Sequence, residues 1–143
     1  ALPSVRGEGF DLSPFSVEYT ERMIAAWNMP DRYKTHLRNI IDDPVAQQAP
    51  FIVNIEVLEH LEDPKTFLCA LCNMMETGGY GLISAALTAP NADHIYLYNT
   101  AQEVFDHAEA AGFHVIDYVE DAAYEPRRPT DTVPRNVAFI VTK

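Results

Sequence analysis

The sequence has no apolar run near the ~20 residues that a membrane-spanning helix requires. It has only 10 lysines and arginines against 21 acidic residues, and the net charge is -11. Because clustered basic side chains bind a phosphate backbone and none cluster here, no nucleic acid is expected as the main partner. The first residues also lack a signal-peptide layout. We therefore expect a cytoplasmic protein that has been cut, or whose start is not shown.

Cysteine is also scarce, since Cys69 and Cys72 form a single C-x-x-C pair. A zinc site of this type needs a second pair of ligands, and no redox motif surrounds the two thiols. The neighbouring residues Phe67, Leu68 and Leu71 repeat with a helical period. We expect two buried thiols on one helix face, without a disulfide in a reducing compartment.

The length of 143 residues and the apolar fraction of 48% suit one folded domain. Capping and turn signals divide the chain into alternating elements. Strands are predicted over 5–10, 33–41, 51–55, 80–86, 113–119 and 137–142, and helices over 13–29, 63–75 and 100–112. This alternation predicts an α/β fold with a mostly parallel sheet and helices on both faces. A loop over 120–134, with no helix in it, predicts an antiparallel last strand.

Carboxylates and an imidazole follow the apolar strand 51–55 directly. Glu56, Glu59 and His60 are spaced i, i+3, i+4, so on a helical turn their side chains converge on one side. Carboxylate oxygen and imidazole nitrogen together suit a divalent cation. The alternative is that Glu59 and His60 merely open the helix that follows. His107 is expected on the exposed face of its helix, and Tyr96 or Tyr98 could line a pocket.

Five segments in order resemble one family, the class I methyltransferases that use S-adenosylmethionine. Residues 9–14 resemble its second strand, residues 56–64 its motif after strand four, and residues 78–84 its fifth strand. Residues 111–115 and 134–142 resemble its sixth and seventh strands. The resemblance covers nearly all of the chain and implies a Rossmann-like fold and S-adenosylmethionine as the cofactor.

The resemblance also implies cofactor-binding residues. Asp11, at the end of the second family strand, is the candidate for the ribose hydroxyls. Its alternative role is an ordinary helix N-cap. After the third strand the register is open, and both Asn39 and Asp42 are candidates for the adenine amine. The remaining cofactor-binding candidates are Leu12, Ile40 and Asn54.

The family's first strand and its glycine-rich turn have no counterpart before Val5, and residues 1–3 resemble the tail of the helix that follows that turn. The resemblance therefore implies a single methyltransferase domain over 1–143 that lacks its first β-α unit. Such a fragment should fold and bind the cofactor poorly alone. We expect a missing N-terminal segment or a partner chain to complete it.

Within the family, Glu56-x-x-Glu59-His60 resembles a subset with a divalent metal beside the cofactor. Two groups carry it, the O-methyltransferases of ubiquinone biosynthesis and the small-RNA 2′-O-methyltransferases. His94 matches the further histidine of the second group, so Glu56, Glu59, His60 and His94 are the implied ligands of Mg²⁺ or another divalent cation. His60 or His94 could alternatively act as a general base without metal.

The implied function is metal-assisted O-methylation of a small-molecule hydroxyl. The alternatives are metal-free N- or C-methylation of a small metabolite, and a non-catalytic fragment that acts as a binding module. RNA 2′-O-methylation is a weaker option, because the net charge of -11 opposes it.

Overall fold

The computed structural model describes residues 5–125 and 133–143, and the chain divides into two compact units with the boundary between Pro44 and Val45. The first unit contains β1 (Gly7–Asp11), α1 (Pro14–Ala26) and β2 (Tyr33–Leu37). The second contains β3 (Ala49–Asn54), a 3₁₀ turn (Leu58–His60), α2 (Pro64–Met74), β4 (Met75–Leu87), α3 (Ala101–Ala110), β5 (His114–Ala122) and β6 (Arg135–Thr142). The predicted helix tail at 1–3 and most of the predicted loop, 126–132, lie outside the described residues. That 1–143 is a single domain stays a prediction.

In the first unit, β1 and β2 pair in parallel, from Gly7 opposite Tyr33 to Asp11 opposite Leu37. The helix between them begins as predicted, because the Ser13 hydroxyl accepts the Ser16 amide and a proline follows at the first helical position. The predicted strand 33–41 ends early, at Leu37. The reason is a turn in which the Asn39 side chain accepts the Ile41 amide.

The second unit contains a four-stranded sheet of order β3-β4-β6-β5. Strand β3 is parallel to β4, whereas β6 runs antiparallel to both of its neighbours. The predicted α/β class with parallel pairing and an antiparallel last strand is confirmed. Because β3 and β4 are parallel, their carboxyl ends open on the same edge of the sheet, and the loops after them lie together there.

Strands β4, β5 and β6 extend beyond their predicted bounds. Strand β4 starts directly after α2 and includes the glycines at 78 and 79. The Gly78 amide donates to the Lys143 carbonyl across the sheet at 2.8 Å. Strands β5 and β6 extend until Ala122 pairs with Arg135. Cross-strand hydrogen bonds therefore take up both ends of the predicted loop 120–134.

Helices α2 and α3 pack against each other and cover one face of the four-stranded sheet. The two faces alternate along β3, where Ile52 is buried while Phe51 and Val53 are 54% and 57% exposed. On the covered face, the Phe105 and Phe139 rings lie 5.2 Å apart. The expectation of two buried thiols is wrong for Cys69, which is exposed, and right for Cys72. No helix among the described residues is long and apolar enough to cross a membrane.

Candidate functional site

The chain leaves β3 through a strained residue. Glu56 has φ 51°, in the left-handed region that non-glycine residues rarely adopt. The Ser84 side chain from β4 compensates, because its oxygen accepts the Glu56 amide at 3.1 Å and its hydroxyl donates to the Glu56 carboxylate at 2.6 Å. The helical turn therefore begins only at Leu58, and the expected single turn over 56–60 is wrong. Non-glycine backbone in this region persists where surrounding contacts hold it, often at functional sites.

Glu59 is the buried centre of this region. Its side chain is 1% exposed, and its Oε2 atom has no hydrogen-bond partner among the described residues. Its backbone carbonyl accepts two amides, from Ile95 at 2.8 Å and from Tyr96 at 3.0 Å. These two hydrogen bonds hold the loop that follows β4 against the 3₁₀ turn.

That loop brings His94 beside His60, with the ring centroids 4.9 Å apart and the rings edge to face. His60 Nδ1 lies 2.9 Å from the Asp93 carbonyl, and His94 Nδ1 lies 2.6 Å from the Ala89 carbonyl. A carbonyl oxygen only accepts, so in both rings Nδ1 carries the donated proton. In the neutral imidazole, Nε2 then keeps its lone pair, as a metal ligand or a general base requires.

Glu59, His60 and His94 each place one ligand atom within 4.8 Å of the other two. Burial raises the pKa of the Glu59 carboxyl, and the nearby Glu56 carboxylate adds to this, while a backbone hydrogen bond and the two histidines lower it. A bound cation would favour the ionised carboxylate and give the unpartnered oxygen a ligand bond. One carboxylate and two imidazoles with this geometry suit a divalent cation.

Glu56, the fourth ligand implied by the sequence, is not in this group of three. Its carboxylate is hydrogen-bonded to Ser84, which is 6% exposed. Its role as a ligand stays a prediction. Sequence reasoning missed Ser84, although a hydroxyl within the apolar strand β4 is a signal that could have suggested it.

The cofactor candidates of the first unit lie at the carboxyl ends of its parallel strands. Asp11 ends β1; its carboxylate accepts the Ser13 amide at 2.8 Å and its carbonyl accepts the Arg38 amide at 2.9 Å. The second bond places Asp11 next to the segment that contains Asn39 and Ile40. Leu12 is 62% exposed and Ile40 is buried. Ser13 caps α1, so the alternative of Asp11 as its N-cap is wrong.

Asn54, the last residue of β3, is a buried polar side chain with an unused donor. It is 5% exposed, and its Nδ2 atom has no hydrogen-bond partner among the described residues. A buried donor left unpaired costs about 1–3 kcal/mol. A ligand that accepted from Nδ2 would recover this energy, and the cofactor role of Asn54 stays a prediction.

A buried polar cluster behind the loop was missed by sequence reasoning. His107 is 8% exposed, so its expected place on an exposed helix face is wrong. Its Nδ1 lies 3.1 Å from the Tyr98 hydroxyl and its Nε2 lies 3.5 Å from the Tyr96 hydroxyl. Burial raises the pKa of the Tyr98 hydroxyl and lowers the pKa of His107. The buried apolar residues of α3 at positions 101, 104, 105 and 108 form one stripe along the helix, and position 107 lies beside it. This spacing was a signal in the sequence that His107 could be buried.

No family model matches the sequence, and no curated protein matches it. Solved structures do match. The (4+2)-cyclase SpnF superposes with a TM-score of 0.81 at 10% identity, over 98% of this chain and 67% of that one. The O-methyltransferase of a trans-AT PKS multienzyme of Brevibacillus brevis, in complex with S-adenosyl-L-homocysteine, gives 0.79 at 14% identity, over 99% and 59%.

A third match is geranyl diphosphate C-methyltransferase from Streptomyces coelicolor A3(2), in complex with Mg²⁺, geranyl diphosphate and S-adenosyl-L-homocysteine. Its TM-score is 0.76 at 13% identity, over 96% of this chain and 62% of that one. The chain thus has the Rossmann-like fold of S-adenosylmethionine-dependent methyltransferases, and spans about two thirds or less of these three neighbours. At such low identities the likeness shows the fold, and one of the three is named a cyclase.

The pKa of His107 predicts a pH dependence of stability. Burial lowers it from the usual 6.5 and the Lys65 charge adds to this, while Asp106, Glu103 and Asp63 oppose it. A histidine with a lowered pKa in the folded state stabilises fully above about pH 6.5, and this stabilisation is lost as pH falls through the lowered pKa. In His107→Gln, the free energy of unfolding should therefore fall less steeply than in the wild type as pH is lowered.

Chemical denaturation between about pH 5 and 8 measures this difference. His114→Gln is the matched control, because His114 lies exposed at the start of β5. Parallel stability curves for the wild type and His107→Gln across this range would contradict the assignment.

Proposed function

We propose that the protein is an S-adenosylmethionine-dependent methyltransferase that methylates a hydroxyl of a small molecule with the help of a divalent cation. The observation that carries the proposal is the cluster of Glu59, His60 and His94 at the carboxyl ends of β3 and β4, within a methyltransferase fold. Small-molecule ligands of open α/β sheets bind at this edge. The net charge of -11 favours a small acceptor over RNA.

Glu59, His60 and His94 would hold the cation, with Glu56 as the proposed fourth ligand. The fit rests on the buried Glu59 oxygen, which has no hydrogen-bond partner among the described residues. It also rests on the two Nδ1–carbonyl hydrogen bonds, which in the neutral imidazoles leave the Nε2 lone pairs available. A divalent cation at this place would lower the pKa of a bound hydroxyl and fix its position. Mg²⁺ prefers oxygen ligands, whereas two imidazoles also suit Mn²⁺ and Zn²⁺, so these three ions are the candidates.

Asp11, Leu12, Asn39 and Ile40 are proposed to contact the ribose and adenine of S-adenosylmethionine. Their place after two parallel strands supports this. Asn54 is proposed as a further contact through its Nδ2 atom, which has no partner in the part of the chain that the structure describes. The cofactor supplies a methyl group on a sulfonium, which needs an acceptor aligned with the departing sulfur more than covalent help from the protein. The residues of the chain would accordingly bind the cofactor and align the acceptor with it.

The same geometry supports a second candidate, metal-free methylation with His60 or His94 as general base. An Nε2 lone pair next to the substrate can take a proton directly when no cation occupies it. N- or C-methylation belongs to this alternative. The non-enzymatic alternative is a binding module. The fold alone does not establish methyl transfer, since a protein named a cyclase has the same fold.

The metal proposal predicts that chelation abolishes methyl transfer and that added Mg²⁺ or Mn²⁺ restores it. Transfer of a labelled methyl group from S-adenosylmethionine to a panel of catechol and simple phenol acceptors measures this. His94→Ala removes a proposed ligand, so it should lower the rate at least as much as the loss of a ligand's outer partner does, about 10- to 100-fold. His114→Ala, at an exposed position of β5, is the matched control and should keep the wild-type rate.

Full activity in excess chelator would exclude the metal and favour the general-base alternative. S-Adenosylmethionine binding without transfer to any acceptor, metal present or absent, would favour the binding module.

We further propose that another segment or chain completes the domain. Among the described residues, strand β3 is one edge of its sheet, and Phe51, Val53 and Tyr80 expose their side chains on one face. Parallel sheets normally have both faces covered. In isothermal titration, residues 1–143 alone should therefore bind S-adenosylmethionine weakly. An ordinary micromolar affinity would contradict this proposal. The cytoplasmic location stays a prediction.

A further inference from the structure

The loop that carries His94 is anchored at several points along its length. Near its start, the Thr88 amide donates to the Tyr98 carbonyl at 2.8 Å. In its middle, the Tyr96 amide donates to the Glu59 carbonyl. The loop thus folds back on itself and on the 3₁₀ turn, and the position of His94 depends on where Tyr96 and Tyr98 are held.

The side chains of the two tyrosines are held by α3. Tyr98 is completely buried, and its hydroxyl is hydrogen-bonded to His107 Nδ1 at 3.1 Å. The Tyr96 ring lies 4.7 Å from the Tyr98 ring and 5.5 Å from the His107 ring, measured between centroids. His107 of α3 therefore contacts both tyrosine rings of the loop and helps to fix their positions.

We propose that His107 is a positioning residue of the metal site, which holds Tyr98 and Tyr96 and through them sets His94 against Glu59. The inference rests on the proposed function, because it assumes that Glu59, His60 and His94 bind a cation. It deepens that function by extending the site to a helix that contributes no ligand. His107 touches neither the ligand atoms nor a reacting group, so its effect is indirect.

The chain of contacts has few steps. His107 bonds to the Tyr98 hydroxyl, and Tyr98 also takes part in the β-bridge to Leu87, at the end of β4. Two residues earlier, Tyr96 fixes the Glu59 carbonyl, and the adjacent Ile95 amide shares that acceptor. His94 directly precedes this pair of amides. Rotation of the unanchored tyrosines would shift these amides and the His94 ring together.

Both ring nitrogens of His107 face the tyrosines, so an apolar residue of similar size cannot replace it. Loss of the His107 ring would leave the buried Tyr98 hydroxyl without this partner. Because an unpaired buried hydroxyl is unfavourable, the Tyr98 side chain would move to find another partner. Partners bonded directly to metal ligands commonly change metal affinity by about 10- to 100-fold when they are mutated. His107 acts through Tyr98 and Tyr96, so we expect an effect at the lower end of this range.

The test is the Mn²⁺ dissociation constant of the full 143-residue chain, measured by isothermal titration calorimetry. His107→Leu and Tyr98→Phe should each raise it by about tenfold. The double variant should raise the dissociation constant no further than His107→Leu alone, because His107→Leu already removes the hydrogen bond that Tyr98→Phe removes. His107→Asn, whose amide can replace Nδ1 opposite Tyr98, should recover part of the affinity, and the His114→Leu control should match the wild type.

Wild-type affinity in both His107→Leu and Tyr98→Phe, even with lowered thermal stability, would overturn the inference and leave His107 a purely structural residue. Additive effects in the double variant would also overturn it. If His107→Leu does not fold, Tyr98→Phe decides, because it removes only one hydroxyl. Absence of Mn²⁺ binding by the wild type would instead refute the metal part of the proposed function.

Discussion

The candidate site depends on the burial of one carboxylate, that of Glu59. A carboxylate that is 1% exposed and has one oxygen without a partner among the described residues is expensive unless a cation or a proton compensates it. The turn after β3 sets the carboxylate there, and its carbonyl, bonded to two amides of the loop after β4, brings His94 to it. The buried Glu59 carboxylate, the hydrogen bonds to its carbonyl and the imidazoles of His60 and His94 thus depend on one another at one edge of the sheet.

Much of the fold could be predicted from local signals. Ser13 and Thr100 cap their helices as the sequence indicated, and Gly112 has φ 101° just after α3. The first and last residues of β4 and β5 could not be predicted from local sequence. They depend on hydrogen bonds to neighbouring strands that lie far away in the chain. The helical spacing of Glu56 and Glu59 was misleading, since Glu56 has left-handed backbone that hydrogen bonds with Ser84, 28 residues away, stabilise.

The site was predictable only where local sequence determines the position of a residue. Glu59 and His60 follow a buried strand directly, so their approximate place could be inferred from local sequence. The closeness of His94 depends on a loop that returns to the Glu59 carbonyl, and only the resemblance to a family suggested it. The prediction for His107 was wrong because position 107 was expected to face solvent. In the structure, Tyr96 and Tyr98 of the loop pack against His107 and bury it.

Metal binding by Glu59, His60 and His94 is the central claim, and anomalous X-ray scattering tests it most directly. Crystals of the chain grown with Mn²⁺ would be measured at the manganese absorption edge, with Glu59→Gln crystals as the comparison. The account predicts one strong peak in the wild type, coordinated by the Glu59 carboxylate and the Nε2 atoms of both histidines, that is lost or weakened in the variant. No peak at these three residues under saturating Mn²⁺ would contradict it.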